Sequence, residues 1–128
     1  MNLKKSIGLV LLVVTASLFC APASFAQGKR DLNIVFIGNS ITYGAGLSDP
    51  ATEAPPVITA AYLKQQSNVG NVEIANQGHS GYTTVDFLPT TGGVFKDVEK
   101  AANGFANKQA LLIFSIKLGT NDSAIEGP

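Results

Sequence analysis

The chain has 128 residues, nine basic and nine acidic, with one histidine, one cysteine and 45% hydrophobic residues. Charges of both signs are scattered, which excludes the basic stripe of a nucleic-acid binder and the polybasic patch of a membrane-surface protein. One histidine and one cysteine cannot make an ordinary zinc site, and a lone cysteine closes no internal disulfide.

Residues 1–26 read as a targeting segment. Lys4 and Lys5 form a positive start, 7–19 an apolar stretch, and Ser24-Phe25-Ala26 a small-x-small cleavage site. The stretch falls short of the roughly 20 residues that span a bilayer. A lipid anchor at Cys20 is the rival reading, but bulky Phe19 stands where a small residue is expected. Cleavage after Ala26 and export, to the periplasm or the medium, is the expectation. Seven basic residues then face nine acidic ones, no cysteine remains, and 27–128 form one small domain.

Residues 27–31 are a polar lead-in. Residues 32–37 are an unbroken apolar run, β-branched or aromatic from Ile34 to Ile37, as in a strand buried on both faces. Residues 49–56 are a loop rich in proline and acid, and 57–66 show helical spacing at Val57, Ile58, Ala61 and Tyr62. A turn over 68–71 leads into a strand over 72–75. Residues 83–88 start a helix that Pro89 ends, and 90–93 are a loop. Phe95, Val98, Ala101, Ala102 and Phe105 predict an amphipathic helix over 95–105. Residues 111–116 form a third apolar run, expected to be a buried strand. Strand, helix, strand, helix, strand argues for right-handed βαβ units and a parallel sheet with helices on both faces. Three strands and two crossovers make half of such a layer, so residues 27–128 are expected to be the amino-terminal portion of a larger domain.

Chemistry gathers just past the three apolar runs. Gly38-Asn39-Ser40-Ile41-Thr42 follows the first, Asn76-Gln77-Gly78-His79-Ser80-Gly81 the second, and Gly119-Thr120-Asn121-Asp122 the third. In an open parallel sheet, segments leaving the carboxyl ends of strands line the ligand crevice. Ser40 reads as a nucleophile presented by a tight turn, or as a helix N-cap. No Lys-Ser/Thr completes a phosphate loop, and Thr42 stands where the Gly-x-Ser-x-Gly elbow needs its last glycine. Gly81 reads as an oxyanion donor or a turn glycine, and Asn121 as an oxyanion donor or a cap. Asp122 is expected to order its loop, and Lys117 to sit at a solvent-facing strand end. A serine needs a base. His79 is the sole histidine, and lining the substrate mouth or ordering its loop is the reading preferred for it over the base.

The three segments resemble the Gly-Asp-Ser-Leu, Asn-x-Gly-x-Ser-Gly and Gly-x-Asn-Asp blocks of the SGNH (GDSL) hydrolase family, with Asn39 for Asp and Ile41 for Leu. The fourth block, Asp-x-x-His, has no counterpart among the 128 residues. The resemblance implies a three-layer α/β/α fold with a flavodoxin-like parallel sheet whose carboxy-terminal part is missing. It implies Ser40 as nucleophile, with the N–H groups of Ser40 and Gly81 and the Asn121 amide as oxyanion donors, and no metal or organic cofactor. The implied function is hydrolysis of small acyl esters, with acetyl groups on carbohydrates as expected substrates. The rival is a non-enzymatic secreted module that binds carbohydrate in the same crevice. No nucleic-acid partner is expected, and no membrane once the leader is removed.

Overall fold

The computed structural model describes residues 28–124; the leader read over 1–26 lies outside the described residues. The elements run β1 (Arg30–Gly38), α1 (Ser40–Tyr43), α2 (Pro50–Glu53), α3 (Pro55–Leu63), β2 (Val69–Gly78), α4 (Val94–Gly104) and β3 (Leu111–Lys117), with 3₁₀ turns at Val85–Phe87, Pro89–Thr91 and Asp122–Ala124. The three strands form one parallel sheet in the order β2-β1-β3. That order begins the flavodoxin-like sequence of strands. Among the described residues no helix is long and apolar enough to cross a membrane.

The central strand explains the layering. Side chains alternate across a strand, so β1 supplies both faces of the sheet. Leu32, Ile34 and Phe36 pack with Val69, Val72 and Ala60 of α3 on one side. Val35 and Ile37 pack with Val98 of α4 and Phe105 on the other. Val35 is fully buried between the layers. Burying such a side chain contributes about 1.5–3 kcal/mol. The first crossover adds β2 beside β1, and the second passes back over β1 to add β3. With crossovers of one hand, that reversal puts α3 and α4 on opposite faces.

Several expected boundaries move. β1 starts at Arg30 inside the polar lead-in, because Arg30 pairs with Val69 and its N–H donates to Asn68 O (3.0 Å). The 49–56 loop is instead a helical turn followed by the start of α3. Asp49 caps α2 by accepting from Ala51 N (3.1 Å), and Pro50 and Pro55 occupy first-turn positions where proline loses no hydrogen bond. α3 ends at Leu63, and β2 runs from Val69 to Gly78, absorbing much of the expected turn. The helix expected over 83–88 is a 3₁₀ turn, and a second one at Pro89–Thr91 takes part of the expected loop.

The larger correction concerns β3. Its apolar run predicts burial, yet Leu111, Leu112, Phe114 and Ile116 are exposed, Ile116 by 67%. Among the described residues β3 is an edge strand with one hydrogen-bonded neighbour, and α4 lies over β1 rather than over it. A groove of about 520 Å³ is left between α4 and β3, lined by Phe95, Val98, Leu112, Phe114 and Ile116 among others.

Candidate functional site

The three motif segments leave the sheet at one level. Gly38 pairs with Gly78 on one side and with Lys117 on the other. Ser40, Gly81 and Asn121 follow those three residues by two, three and four positions. The carboxyl end of the middle strand, where strand order reverses, is where ligands bind in such sheets.

Two glycines allow the serine turn to lie down there. A Cβ on Gly38 would fall 2.7 Å from Thr42 Cβ and 2.9 Å from Lys117 O. One on Gly78 would fall 2.7 Å from Tyr43 Cα and 2.8 Å from Thr42 C. Both sites need the absence of a side chain, so α1 packs on bare backbone. Asn76 fixes it further: Nδ2 donates to Thr42 O (3.0 Å), and Oδ1 accepts from Gly78 N (2.9 Å).

The cap of α1 is Asn39, not Ser40. Asn39 is 1% exposed, and its Oδ1 accepts from Ile41 N at 3.0 Å. Ser40 is the first helical residue and half-buried, and its hydroxyl is not spent on the cap. The Asn39 side chain thus performs the capping that was the alternative role for Ser40.

Gly81 has φ +83°, and nothing lies within 4 Å of the position a Cβ would take. The left-handed conformation, rather than crowding, is what selects glycine here. Asn121 is half-buried, and its Nδ2 donates to Tyr82 O (2.8 Å). One amide hydrogen is therefore engaged and the other remains for a ligand. Asp122 joins the same loop, its carboxylate accepting from Thr84 N at 3.0 and 3.2 Å and from the Thr84 hydroxyl. Asp86 accepts from Thr83 N and Thr83 Oγ1, both at 2.7 Å.

Both carboxyls are held below the ordinary value of 3.8. For Asp122 the largest cause is the Thr84 hydroxyl, with the Thr84 N–H adding to it against partial desolvation. For Asp86 it is the Thr83 N–H, then its hydroxyl, opposed by desolvation and by the negative charge of Asp122. Among the described residues no three His, Cys, Asp or Glu side chains gather as a metal ion would require.

His79 stacks on Tyr82 with ring centroids 4.9 Å apart and meets the edge of Phe87 at 6.0 Å. Its backbone N–H donates to Gly38 O (2.9 Å). The imidazole packs within the loop after β2, and among the described residues no hydrogen bond joins it to Ser40. Beside it, a groove of about 460 Å³ is lined by Tyr43, Pro50, Ala51 and His79 with the end of β2. Sequence reasoning missed the Thr83–Asp86 and Thr84–Asp122 pairs. The first is a Thr-x-x-Asp pattern visible in sequence, but the second spans 38 residues and has no local sign.

No family model matches the chain, and no curated protein matches it. Among solved structures it is similar to AlinE4, described as an SGNH-hydrolase family esterase, at 25% sequence identity and a TM-score of 0.45. The similarity covers 77% of this chain and 44% of that one, so the chain spans less than half of that protein's length.

Proposed function

We propose that residues 27–128 carry the nucleophile and oxyanion site of an exported serine esterase acting on small acyl esters, acetylated carbohydrates first among them. The observation that carries this reading is the common level of the three strand exits, with Ser40 relieved of capping duty by Asn39. In this mechanism Ser40 Oγ bonds to the acyl carbon while its proton passes to a base. The carbonyl oxygen takes the negative charge between the N–H groups of Ser40 and Gly81 and the free hydrogen of the Asn121 amide. Preorganised donors of this kind are each worth about 10²–10³ in rate. Collapse of the tetrahedral species breaks the bond to the alcohol, which leaves with a proton, and water then releases the acid from Ser40.

The base comes from outside this arrangement, since no Asp-x-x-His exists in the sequence and His79 is packed among aromatics. The groove beside Tyr43 and His79 suits the alcohol portion. Tyr43 is 50% exposed and offers a ring face on which a sugar can lie.

Supplying the base tests this. The purified protein should turn over p-nitrophenyl acetate negligibly in plain buffer. With added imidazole it should acquire one acetyl group, located on Ser40 by mass spectrometry and lost in Ser40→Ala. Acetylation unaffected by Ser40→Ala would refute the esterase reading and leave the carbohydrate-binding module. Imidazole-free turnover abolished by both Ser40→Ala and His79→Ala would make His79 the base.

A further inference from the structure

β2 and β3 are not neighbours; β1 lies between them. Strands in a sheet are about 4.8 Å apart, so the exits of β2 and β3 are separated by roughly 10 Å. The loops that follow nevertheless meet. Asn121 Nδ2 reaches Tyr82 O, and the Asp122 carboxylate grips both donors of Thr84. The contact therefore spans the end of β1, the place from which Ser40 emerges.

The loop after β2 makes several contacts within itself. His79, Tyr82 and Phe87 form an aromatic cluster, and Asp86 caps Thr83, which is buried. Among the described residues its hydrogen bonds to the segment after β3 are those with Asn121 and Asp122. The turn after β3 closes on its own backbone, with Ser123 N donating to Gly119 O (3.2 Å) and Ala124 N to Asn121 O (3.1 Å). That leaves the Asp122 side chain for the neighbouring loop. Gly119 and Gly81, with φ +101° and +83°, sit where each segment turns toward the clasp.

We propose that Asp122 is a positioning residue: by clasping Thr84 across the end of β1 it fixes the separation of Gly81 and Asn121, so that both donors address one oxygen above Ser40. This rests on the esterase reading for the role of those donors, while the clasp itself is observable without activity. A misplacement of 1 Å at such a site costs about 10²-fold in rate.

Two measurements on the purified protein and its Asp122→Asn, Thr84→Val and Thr84→Ser variants test the proposal. Amide hydrogen exchange at Gly81, Tyr82 and Thr84 reports the clasp. Imidazole-dependent acetylation of Ser40, followed against p-nitrophenyl acetate concentration, reports the site. Asp122→Asn should speed exchange at Thr84 and lower the maximal acetylation rate roughly 10²-fold, with little change in half-saturation. Thr84→Val should do the same more weakly, since its N–H remains, and Thr84→Ser should restore the parent's rate. Faster exchange with an unchanged maximal rate in folded Asp122→Asn would show a merely structural clasp and overturn the proposal. Unchanged exchange would overturn it as well. If the parent is not acetylated on Ser40 at all, the esterase reading fails and the positioning role falls with it, even where exchange still shows the clasp.

Discussion

Replacing Gly78 by alanine perturbs the base of the serine turn without touching any reacting group. The new Cβ would sit 2.7 Å from Tyr43 Cα and 2.8 Å from Thr42 C, both backbone atoms of α1. Carbon atoms rest at about 3.5–4.0 Å, so α1 must retreat by roughly 1 Å. Overpacking of this kind costs about 1–3 kcal/mol. Restricting the unfolded chain returns about 0.4–1 kcal/mol, which leaves a net loss near 1–2 kcal/mol. In a domain of this size each kcal/mol moves Tm by about 4–8 °C, so a fall of roughly 5–15 °C is expected. Gly104→Ala is the control. It lies at the end of α4 with nothing within 4 Å of the added methyl, and it should stabilise slightly, by about 0.5–1 kcal/mol at most. Urea unfolding followed by circular dichroism measures both. Because Ser40 rides on α1, its imidazole-dependent acetylation should also drop in folded Gly78→Ala. A Gly78→Ala protein as stable as the parent would refute the packing argument.

Three further outcomes are expected. The folded-state values of Asp86 and Asp122 lie below 3.8, so their contribution to stability is present above that pH and is lost as pH falls through the lowered values. Carboxyl titration by NMR should show midpoints below 3.8, and Thr84→Val should raise that of Asp122; an unmoved midpoint would contradict the assigned cause. Phe105→Ala, at a buried position against Val35, Ile37 and Val98, should cost about 3 kcal/mol in urea unfolding, and a loss below 1 kcal/mol would contradict its place in the core. Exported material should begin at Gln27 by amino-terminal sequencing, and a lipid-modified Cys20 at the terminus would refute cleavage after Ala26.

The fold was legible where hydrophobic period and element type agree. The unbroken run of β1 marked a strand covered on both faces, and the three- and four-residue spacing of Val98, Ala101, Ala102 and Phe105 marked α4. Burial of β3 was misread because composition reports what a strand can bury against, not whether a neighbour lies there. The prolines at 50 and 55 misled for a related reason: the residue that interrupts a helix also starts one. At the site, the three exits could be found from motifs, since each candidate residue follows its strand closely. The Asn39 cap and the Thr84 partner of Asp122 could not, because a cap and a clasp depend on where the backbone turns and on contacts between distant segments.

In the proposed mechanism the three exits form one site in which Ser40 attacks and Gly81 and Asn121 receive the charge. A boronic acid tests it most directly, because boron accepts a serine oxygen and becomes an anionic tetrahedral centre resembling the one formed from an ester. Titrating the protein with methylboronic acid and reading ¹¹B NMR should show tetrahedral boron that is absent in Ser40→Ala and weakened in Asn121→Ala. A crystal structure of the adduct should place its oxygen about 2.7–3.1 Å from Gly81 N and Asn121 Nδ2. Trigonal boron throughout, or a tetrahedral signal that persists in Ser40→Ala, would contradict the claim.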